Sequence, residues 1–287
     1  MSSRGVLGDN QYGKAEIRLM KVDRDTPRHV LHDLNVSVAL AGDMAAVHLA
    51  GDNAAVLPTD TQKNTVFAFA REHGVGHVEE FAALLARHFV ETQDAVRRAR
   101  VAVEEYSWER LGDHSFVRTG PHVRTTTVTD GDEGGTHFVS GVKDLVLLSS
   151  TDSEFQGFAV DQYTTLPETD DRILCTSVDA RWRHEGPQAD WEASYDGVLD
   201  ALKTAFTDTY SRSLQQTLYV MGERVVATCH GISEVRLRLP NRHHLLVDLS
   251  PFGLDNPNQV FHVDDRPYGL IEGTVLADGA TPDPGAW

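Results

Sequence analysis

Apolar and polar residues alternate along several short segments in the first half of the chain. This period of two is typical of β-strands that bury one face, because successive side chains point to opposite sides of a sheet. We predict strands over residues 15–22, 35–40, 101–108, 123–129 and 137–140, with residues 43–53 expected to continue the same sheet. The Asp- and Gly-rich residues 130–135 are predicted to form the turn between the last two strands.

Two segments of the first half repeat their apolar residues at steps of three and four, as an amphipathic helix does. The stronger helix is predicted over residues 78–98, with Arg97 and Arg98 near its end favouring the helix dipole. Its predicted inward stripe consists of Phe81, Leu84, Leu85, His88 and Phe89. A shorter helix is predicted over residues 61–71, with an inward face of Val66, Phe67, Phe69 and Ala70.

The second half follows a similar order. We predict strands over residues 145–148, 172–183, 234–239 and 244–249, and a helix over residues 195–210. Two halves of similar length, each strands–helix–strands, favour an α+β protein of two tandem units, residues 1–141 and 142–287, with helices on one face of antiparallel sheets. The Pro- and Gly-containing tail, residues 279–287, is expected to be mobile.

Charge and composition exclude several classes of protein. The chain has 26 Lys and Arg against 43 Asp and Glu, a net charge of −17, which argues against a nucleic-acid-binding surface. No apolar run reaches the roughly 20 residues of a membrane span, and no secretory signal pattern is present. Only Cys175 and Cys229 occur, too few for a disulfide framework. We therefore expect a cytoplasmic protein without a membrane partner.

The sequence lacks the common motifs of cofactor and metal enzymes. Gly74-Val75-Gly76 lacks the third glycine of a dinucleotide loop, and no phosphate-binding Gly-Lys-Ser/Thr occurs. There is no Gly-x-Ser-x-Gly elbow, and none of the 14 His belongs to a His-Glu-x-x-His pair. These patterns predict neither a metal nor a bound cofactor.

Seven separated blocks resemble the urate oxidase (uricase) family, in the family's order and spacing. They are residues 11–14, 51–65, 153–158, 161–174, 213–219, 239–244 and 247–249. The resemblance implies the tunnelling fold, in which two tandem units per chain close an antiparallel barrel with a second chain and two such dimers form a homotetramer. It also implies catalysis without metal or cofactor, at sites on the dimer interfaces. The absence of a C-terminal Ser-Lys-Leu favours the cytoplasmic, bacterial type.

The resemblance assigns four residues to holding the purine ring. Phe155 would stack on it, and Arg172 would grip a carbonyl and a ring nitrogen with parallel donors that a Lys lacks. Gln215 would bind the opposite edge as donor and acceptor, and Leu214 would offer its backbone N–H. Taken alone, Phe155 is an ordinary core residue, Gln215 is a strand-end residue, and Arg172 pairs with a neighbouring carboxylate.

A second group would move protons and oxygen. Lys14 is the implied proton acceptor, paired with Thr59 across the subunit interface and relayed by His243. Thr59 would also contact the substrate, Asp60 would donate its backbone N–H, and Asn241 would hold oxygen or the attacking water. Without the resemblance, Lys14 is a surface lysine, Thr59 or Asp60 is a helix N-cap, and Asn241 is a turn residue.

The implied reaction oxidises urate with O2 and water to 5-hydroxyisourate and hydrogen peroxide, a step of purine degradation. Two other hypotheses remain open. One is a tunnelling-fold enzyme acting on pterins or deazapurines, although the usual zinc-ligand and cysteine motifs of those enzymes are absent. The other is a purine-binding protein without catalytic activity.

Overall fold

The computed structural model describes residues 5–131 and 134–287. Asp132 and Glu133 of the predicted turn, and residues 1–4, lie outside the described residues. Packing divides the described chain into two compact units. Unit 1 takes the described residues up to Gly141, together with Arg183–Glu192 and Asp283–Trp287. Unit 2 takes Val142–Trp182 and Ala193–Pro282.

Unit 1 contains two pairs of long strands, and its helices lie between the two pairs in chain order. In chain order its elements are β1 (Tyr12–Asp23), β2 (Val30–Gly42), α1 (Ala45–Ala50), α2 (Thr59–Glu72), α3 (Val78–Thr92), β3 (Val96–Glu105), β4 (Trp108–Arg110), β5 (Phe116–Arg118), β6 (Val123–Gly131) and the start of β7 (His137–Ser149). The sheet order is β1-β2-β3-β6, antiparallel throughout, and β4 pairs with β5 in a separate short hairpin.

The core of unit 1 lies between this sheet and helices α2 and α3. Alternate residues of β2, such as Val36 and Leu40, are fully buried, as the period of two requires. They pack with Phe81, Leu85 and Phe89, which recur at steps of four on α3.

A charged cluster lies inside unit 1. The carboxylate of Glu79 on α3 accepts hydrogen bonds from Arg124 Nη2 on β6 (3.1 Å) and from Ser140 Oγ on β7 (2.9 Å). His184 Nε2 lies 2.9 Å from the same Ser140 Oγ. Arg124 Nη1 also donates to Glu192 at 2.5 Å. The side chains of Glu79 and Arg124 are 1% and 7% exposed, so the two opposite charges stabilise each other where water cannot.

Unit 2 repeats the order of elements. It contains the rest of β7, β8 (Leu174–His184, all but its last two residues), α4 (Trp191–Asp208, from Ala193 onward), α5 (Leu214–Thr228), β9 (Ile232–Leu246) and β10 (Phe261–Leu276). The strand order is β7-β8-β9-β10, and β9 pairs with β10 antiparallel. Its core is apolar, formed by alternate strand residues and the inner faces of α4 and α5. Helix α5 approaches β10 so closely that a Cβ on Gly222 would lie 2.6 Å from a methyl of Val275.

The α+β prediction is confirmed, and several element predictions are corrected. Residues 43–53 do not extend the sheet but contain helix α1. Helix α3 ends at Thr92, so Arg97 and Arg98 lie on β3 and do not favour the helix dipole. Residues 234–239 and 244–246 belong to one strand, β9, which ends at Leu246, so residues 247–249 of the predicted second strand lie outside it.

Burial explains further differences. Phe67, predicted to face inward from α2, is 40% exposed, whereas Val66 and Ala70 are buried as predicted. The tail, expected to be mobile, forms a short 3-10 turn at Pro284–Ala286 and buries Ala286 in unit 1. Helix α5 and strand β10 were not predicted. Within the described residues, no helix is long and apolar enough to cross a membrane.

Candidate active site

The first turn of helix α2 carries Thr59 and Asp60 in unit 1. Pro58 precedes the helix as its N-cap and gives no side-chain capping bond, so the interpretation of Thr59 or Asp60 as the cap is wrong. Both are helical residues of the first turn, whose backbone N–H groups have no acceptor inside the helix. Free N–H groups at a helix start, with the dipole behind them, favour an anion.

The start of α2 is held against strand β1 by a buried polar contact. Tyr12 Oη donates to the carbonyl oxygen of Leu57 at 3.1 Å, and Gln62 Nε2 donates to the same oxygen at 3.2 Å. Burial raises the pKa of Tyr12 above its usual value, so its hydroxyl remains a donor at neutral pH. These two hydrogen bonds hold Leu57, just before the helix, to Tyr12 on β1 and to Gln62 on α2.

Lys14 lies on β1, beside a break in the strand's register. The pairing with β2 shifts between Lys14 and Ile17, and Glu16 there takes a positive φ of 57°. Gly13 packs so tightly that a Cβ would lie 1.8 Å from the Val38 carbonyl oxygen, which explains why glycine precedes the lysine. A bulge of this kind turns a side chain away from the regular alternation of the strand.

Lys14 and Asp60 lie close together within unit 1. The largest cause of the lowered Asp60 pKa is the Lys63 hydrogen bond of 2.5 Å, and the Lys14 charge contributes in the same direction. Lys14 therefore lies near the start of α2, which carries Thr59, within one unit of the chain. The pairing of Lys14 with Thr59 in an assembly stays a prediction.

In unit 2, Phe155 and Arg172 are brought together by an irregular pair of segments. Phe155 forms an antiparallel bridge with Thr169, and Arg172 N donates to Ser153 O at 2.9 Å. The Arg172 guanidinium then lies over the Phe155 ring, 5.1 Å from its centre. Phe155 also stacks on Phe158, with ring centres 5.0 Å apart. The result is an aromatic face with a cation beside it.

Arg172 carries a charge that no carboxylate neutralises. Among the described residues, no Asp or Glu oxygen lies within 4.0 Å of its guanidinium nitrogens, so the predicted alternative of an ion pair with Asp170 or Asp171 is wrong. Asp171 instead accepts from Thr151 and Asn258, each at 3.0 Å. Burial lowers the pKa of Arg172, because a half-buried cation loses hydration without gaining a counter-ion. Such an arginine is suited to an incoming anion.

Leu214 and Gln215 are the first two residues of helix α5, so the interpretation of Gln215 as a strand end is wrong. Ser213 caps the helix by accepting from Gln216 N at 3.2 Å, and Gln216 Oε1 accepts from Arg212 N at 2.8 Å. The Leu214 side chain is buried, whereas that of Gln215 is exposed. The backbone N–H of Leu214 and the amide of Gln215 are thus presented at a helix start.

Asn241 and His243 lie on β9, where its pairing with β10 is irregular. Asn241 pairs with Gly269 and His243 with Asp264, and the register shifts between these pairs. Thr176 Oγ1 on β8 donates to the carbonyl oxygen of Pro240 at 2.9 Å, fixing the chain just before Asn241. Asn241 is therefore a strand residue, and the prediction of a turn there is wrong.

Comparison with known proteins shows to which family the chain belongs. The profile of the Uricase family matches residues 10–129 and 138–272. A uricase of Arthrobacter globiformis is 51% identical over 285 residues, covering 98% of this chain and 93% of its own. The chain belongs to the uricase family. A uricase of Oryctolagus cuniculus is 36% identical, with 92% of each chain covered.

Solved uricase structures show the same fold. The crystal structure of uricase from Arthrobacter globiformis superposes with a TM-score of 0.94 at 50% identity, covering 98% of both chains. A uricase from Bacillus fastidious gives a TM-score of 0.81 at 22% identity, with 94% of each chain covered, which supports the fold alone. All nine candidate site residues lie inside the two matched segments of the uricase profile.

The polar residues that support these groups were not predicted from the sequence. Ser213 and Gln216 have the spacing of a capping box, a signal present in the sequence that would have predicted the start of α5. Ser153, Tyr12 and Gln62 had no such signal, because their partners are distant in the chain. Within residues 5–131 and 134–287, no three His, Cys, Asp or Glu side chains are grouped to hold a metal ion.

Proposed function

We propose that this protein oxidises urate with O2 and water to 5-hydroxyisourate and hydrogen peroxide. The observation that carries the proposal is Arg172, a half-buried cation held over the Phe155 ring, for which the described part of the chain supplies no carboxylate partner. On a chain of net charge −17, such a group marks where an anion binds. Urate is a flat anionic ring, and 51% identity to a uricase supports it as the substrate.

Phe155, Arg172, Leu214 and Gln215 hold the ring in this proposal. Phe155 supplies the face on which the purine stacks. The two terminal nitrogens of Arg172 bind a carbonyl oxygen and a ring nitrogen in one plane. Leu214 N–H and the Gln215 amide bind the opposite edge, where an amide serves both the donors and the acceptors of the purine.

Lys14, Thr59 and His243 move protons. Lys14 accepts a proton from urate with the Thr59 hydroxyl as its partner, and His243 relays it. Thr59 also contacts the substrate, and Asp60 offers a backbone N–H from the start of α2. Two electrons pass from the urate dianion to O2, which takes two protons and leaves as hydrogen peroxide. Asn241 holds O2 and then the water whose hydroxyl adds to C5. The substrate supplies the reducing power, so neither a metal nor an organic cofactor is required.

The proposed assembly is a homotetramer in the cytoplasm, with tunnelling-fold units closing a barrel as a dimer. In it, Lys14, Thr59 and Asp60 of one chain complete a site whose ring-holding residues belong to a second chain. The location of the first group in unit 1 and of the ring-holding group in unit 2 supports this proposal. Neither nucleic acid nor a membrane takes part.

The deciding experiment measures urate absorbance and hydrogen peroxide with purified protein treated with a chelator. We expect urate loss and peroxide release in equal amounts. Urate binding without loss would instead support a purine-binding protein without catalysis. Activity that disappears on chelation and returns with zinc would support a pterin-type enzyme.

The shared site is tested by mixing inactive variants. Thr59→Ala and Arg172→Ala alter different units, so a hybrid dimer retains one intact site. After subunit exchange we expect about a quarter of the wild-type activity, because half of randomly mixed dimers are hybrids. Lys14→Ala mixed with Thr59→Ala is the matched control and should remain inactive, since both residues lie in unit 1. No recovery in confirmed Thr59→Ala and Arg172→Ala hybrids would contradict a shared site.

A further inference from the structure

Three hydroxyl side chains are buried beside the ring-holding residues of unit 2. Ser153, Ser211 and Thr217 are 0%, 2% and 1% exposed. None of them is among the groups proposed to touch urate. A buried hydroxyl is costly unless it is hydrogen bonded, so its partners indicate what it stabilises.

Ser153 holds the base of the Arg172 side chain. Its Oγ accepts from Arg172 Nε at 3.3 Å, while its carbonyl oxygen accepts from Arg172 N at 2.9 Å. The Phe155 ring restrains the guanidinium from one face. These contacts fix the plane of the guanidinium through its inner nitrogen. The two terminal nitrogens have no carboxylate partner among the described residues and face no such restraint.

Ser211 and Thr217 connect this segment to the start of α5. Ser211 forms a parallel bridge with Ser153, in which Glu154 N donates to Ser211 O at 2.8 Å and Ser211 N to Asp152 O at 2.9 Å. Thr217 Oγ1 donates to Ser211 Oγ at 2.8 Å. Ser211 Oγ in turn donates to the carbonyl oxygen of Ser213, the cap of α5, at 3.2 Å.

We propose that Ser153, Ser211 and Thr217 are positioning residues, which hold Arg172 and the first turn of α5 in one fixed arrangement before the ring binds. The inference rests on the proposed function. An arginine side chain has many rotamers, and ordering it on binding opposes affinity. A hydroxyl that fixes Nε in advance removes much of that cost while leaving the terminal nitrogens available.

The first experiment removes one hydroxyl. Ser153→Ala should raise the KM for urate and the Kd for xanthine, a purine dione without the 8-oxygen, by about tenfold, because a hydrogen bond to a charged group is lost. The kcat should change by less than about threefold, since the catalytic groups are untouched. Ser177→Ala is the matched control. Ser177 is a buried serine of unit 2 whose hydroxyl has no partner among the described residues, and its loss should leave KM and Kd unchanged.

A double-mutant cycle separates positioning from general damage. Lys has a methylene group, Cε, in the place of Arg172 Nε and therefore no hydrogen-bond donor there. Ser153→Ala should thus have no further effect on xanthine affinity in an Arg172→Lys background. A purely structural role of Ser153 would weaken binding equally in both backgrounds, and that outcome would overturn the proposal.

Thr217→Val provides a second test that does not touch Ser153, for use also if Ser153→Ala fails to fold. Valine keeps the shape but cannot donate to Ser211, so the KM for urate should rise about threefold, the loss expected for a neutral hydrogen bond. An unchanged KM in this variant, or a KM for Ser153→Ala equal to that for Ser177→Ala, overturns the inference. Wild-type protein that fails to oxidise urate contradicts the proposed function instead, so the two failures are distinguishable.

Discussion

Units 1 and 2 have the same order of long strands and helices, but each contains an arginine in a different electrostatic environment. Each places two helices, α2 and α3 or α4 and α5, between its two pairs of long strands. Unit 1 encloses a carboxylate, Glu79, and a guanidinium, Arg124, that neutralise each other. Unit 2 encloses a chain of hydroxyls and leaves Arg172 without a carboxylate partner among the described residues.

The difference shows how an arginine that stabilises the fold can be distinguished from one that is proposed to bind a ligand. Arg124 is surrounded by the acidic residues Glu79, Glu105 and Glu192, so its charge is already satisfied and it stabilises the fold. Among the described residues, Arg172 is held by a hydroxyl, a backbone carbonyl and an aromatic face, and no carboxylate balances its charge. A protein that keeps such a cation half-buried loses stability, and ligand binding restores it.

The largest expected effect is on the buried pair of unit 1. Arg124→Met leaves the Glu79 carboxylate buried without its cation and should lower the free energy of unfolding by about 3–5 kcal/mol. Denaturant titration measures it. Arg97→Met is the control, because Arg97 and Asp43 form a pair that is 59% and 65% exposed, and its loss should cost about 0–1 kcal/mol. Equal losses in the two variants would contradict a structural role specific to the buried pair.

The next effect is a pH dependence of unit 1. Burial, with a contribution from the Arg124 charge, lowers the pKa of His184 to about 4. The unfolded chain binds this proton near pH 6.5, so His184 stabilises the fold above that pH and its contribution, about 3 kcal/mol, is lost as the pH falls towards 4. The free energy of unfolding of wild type and His184→Gln should be compared from pH 7 to pH 4.

That comparison isolates His184 from its neighbours. Burial raises the pKa of Glu105, which opposes the effect of His184, but Glu105 titrates in both proteins and cancels in the difference. The wild type should lose more stability than His184→Gln between pH 6.5 and pH 4. Parallel pH profiles would show that the buried histidine does not control acid stability.

The corresponding change in unit 2 affects binding instead. Arg172→Met should raise the Kd for xanthine about 100-fold, because a charged pair of donors is lost from the site. Its free energy of unfolding should stay the same or rise, since the buried charge has no carboxylate partner in the described residues. Calorimetric titration and denaturant unfolding together measure both effects. A large loss of stability with unchanged affinity would place Arg172 in the same class as Arg124.

The smallest effects compare the two helix starts. Ser213→Ala removes the side-chain cap of α5 and should cost about 1 kcal/mol of stability. Thr59→Ala alters a first-turn residue of α2 that makes no capping bond, so stability should change by less than about 0.5 kcal/mol while urate turnover is lost. Thermal unfolding and the urate assay measure the two variants in parallel. A Thr59→Ala variant with full activity would exclude its proposed catalytic role.

Local patterns in the sequence were sufficient for the strands and helices with strong periodicity. The period of two located β1 and β2, and the four-residue steps from Phe81 to Phe89 located α3. The end of α3 was not predictable in this way, because the residues that follow Thr92 turn directly into β3 and their apolar positions fit both periods. The capping-box pattern that begins at Ser213 is present in the sequence. It was not used, and helix α5 was therefore not predicted.

The sequence proposes the candidate site as a set of residues, but it does not determine how those residues are arranged. Lys14 and Thr59 are 45 residues apart in the chain, and only the tertiary structure shows that the Lys14 charge acts on Asp60 at the start of α2. It also decided that Arg172 forms no ion pair with a carboxylate of residues 5–131 or 134–287, although two aspartates precede it directly.

The sequence by itself determined the α+β class, the acidic surface and the family, because these depend on periodicity, composition and ordered motifs. The tertiary structure decided which charges are satisfied. The sequence does not show which of Arg124 and Arg172 is paired with carboxylates, because the partners of each are brought together only by the packing of strands and helices. That packing makes Arg124 part of a closed cluster and leaves Arg172 available to an anion.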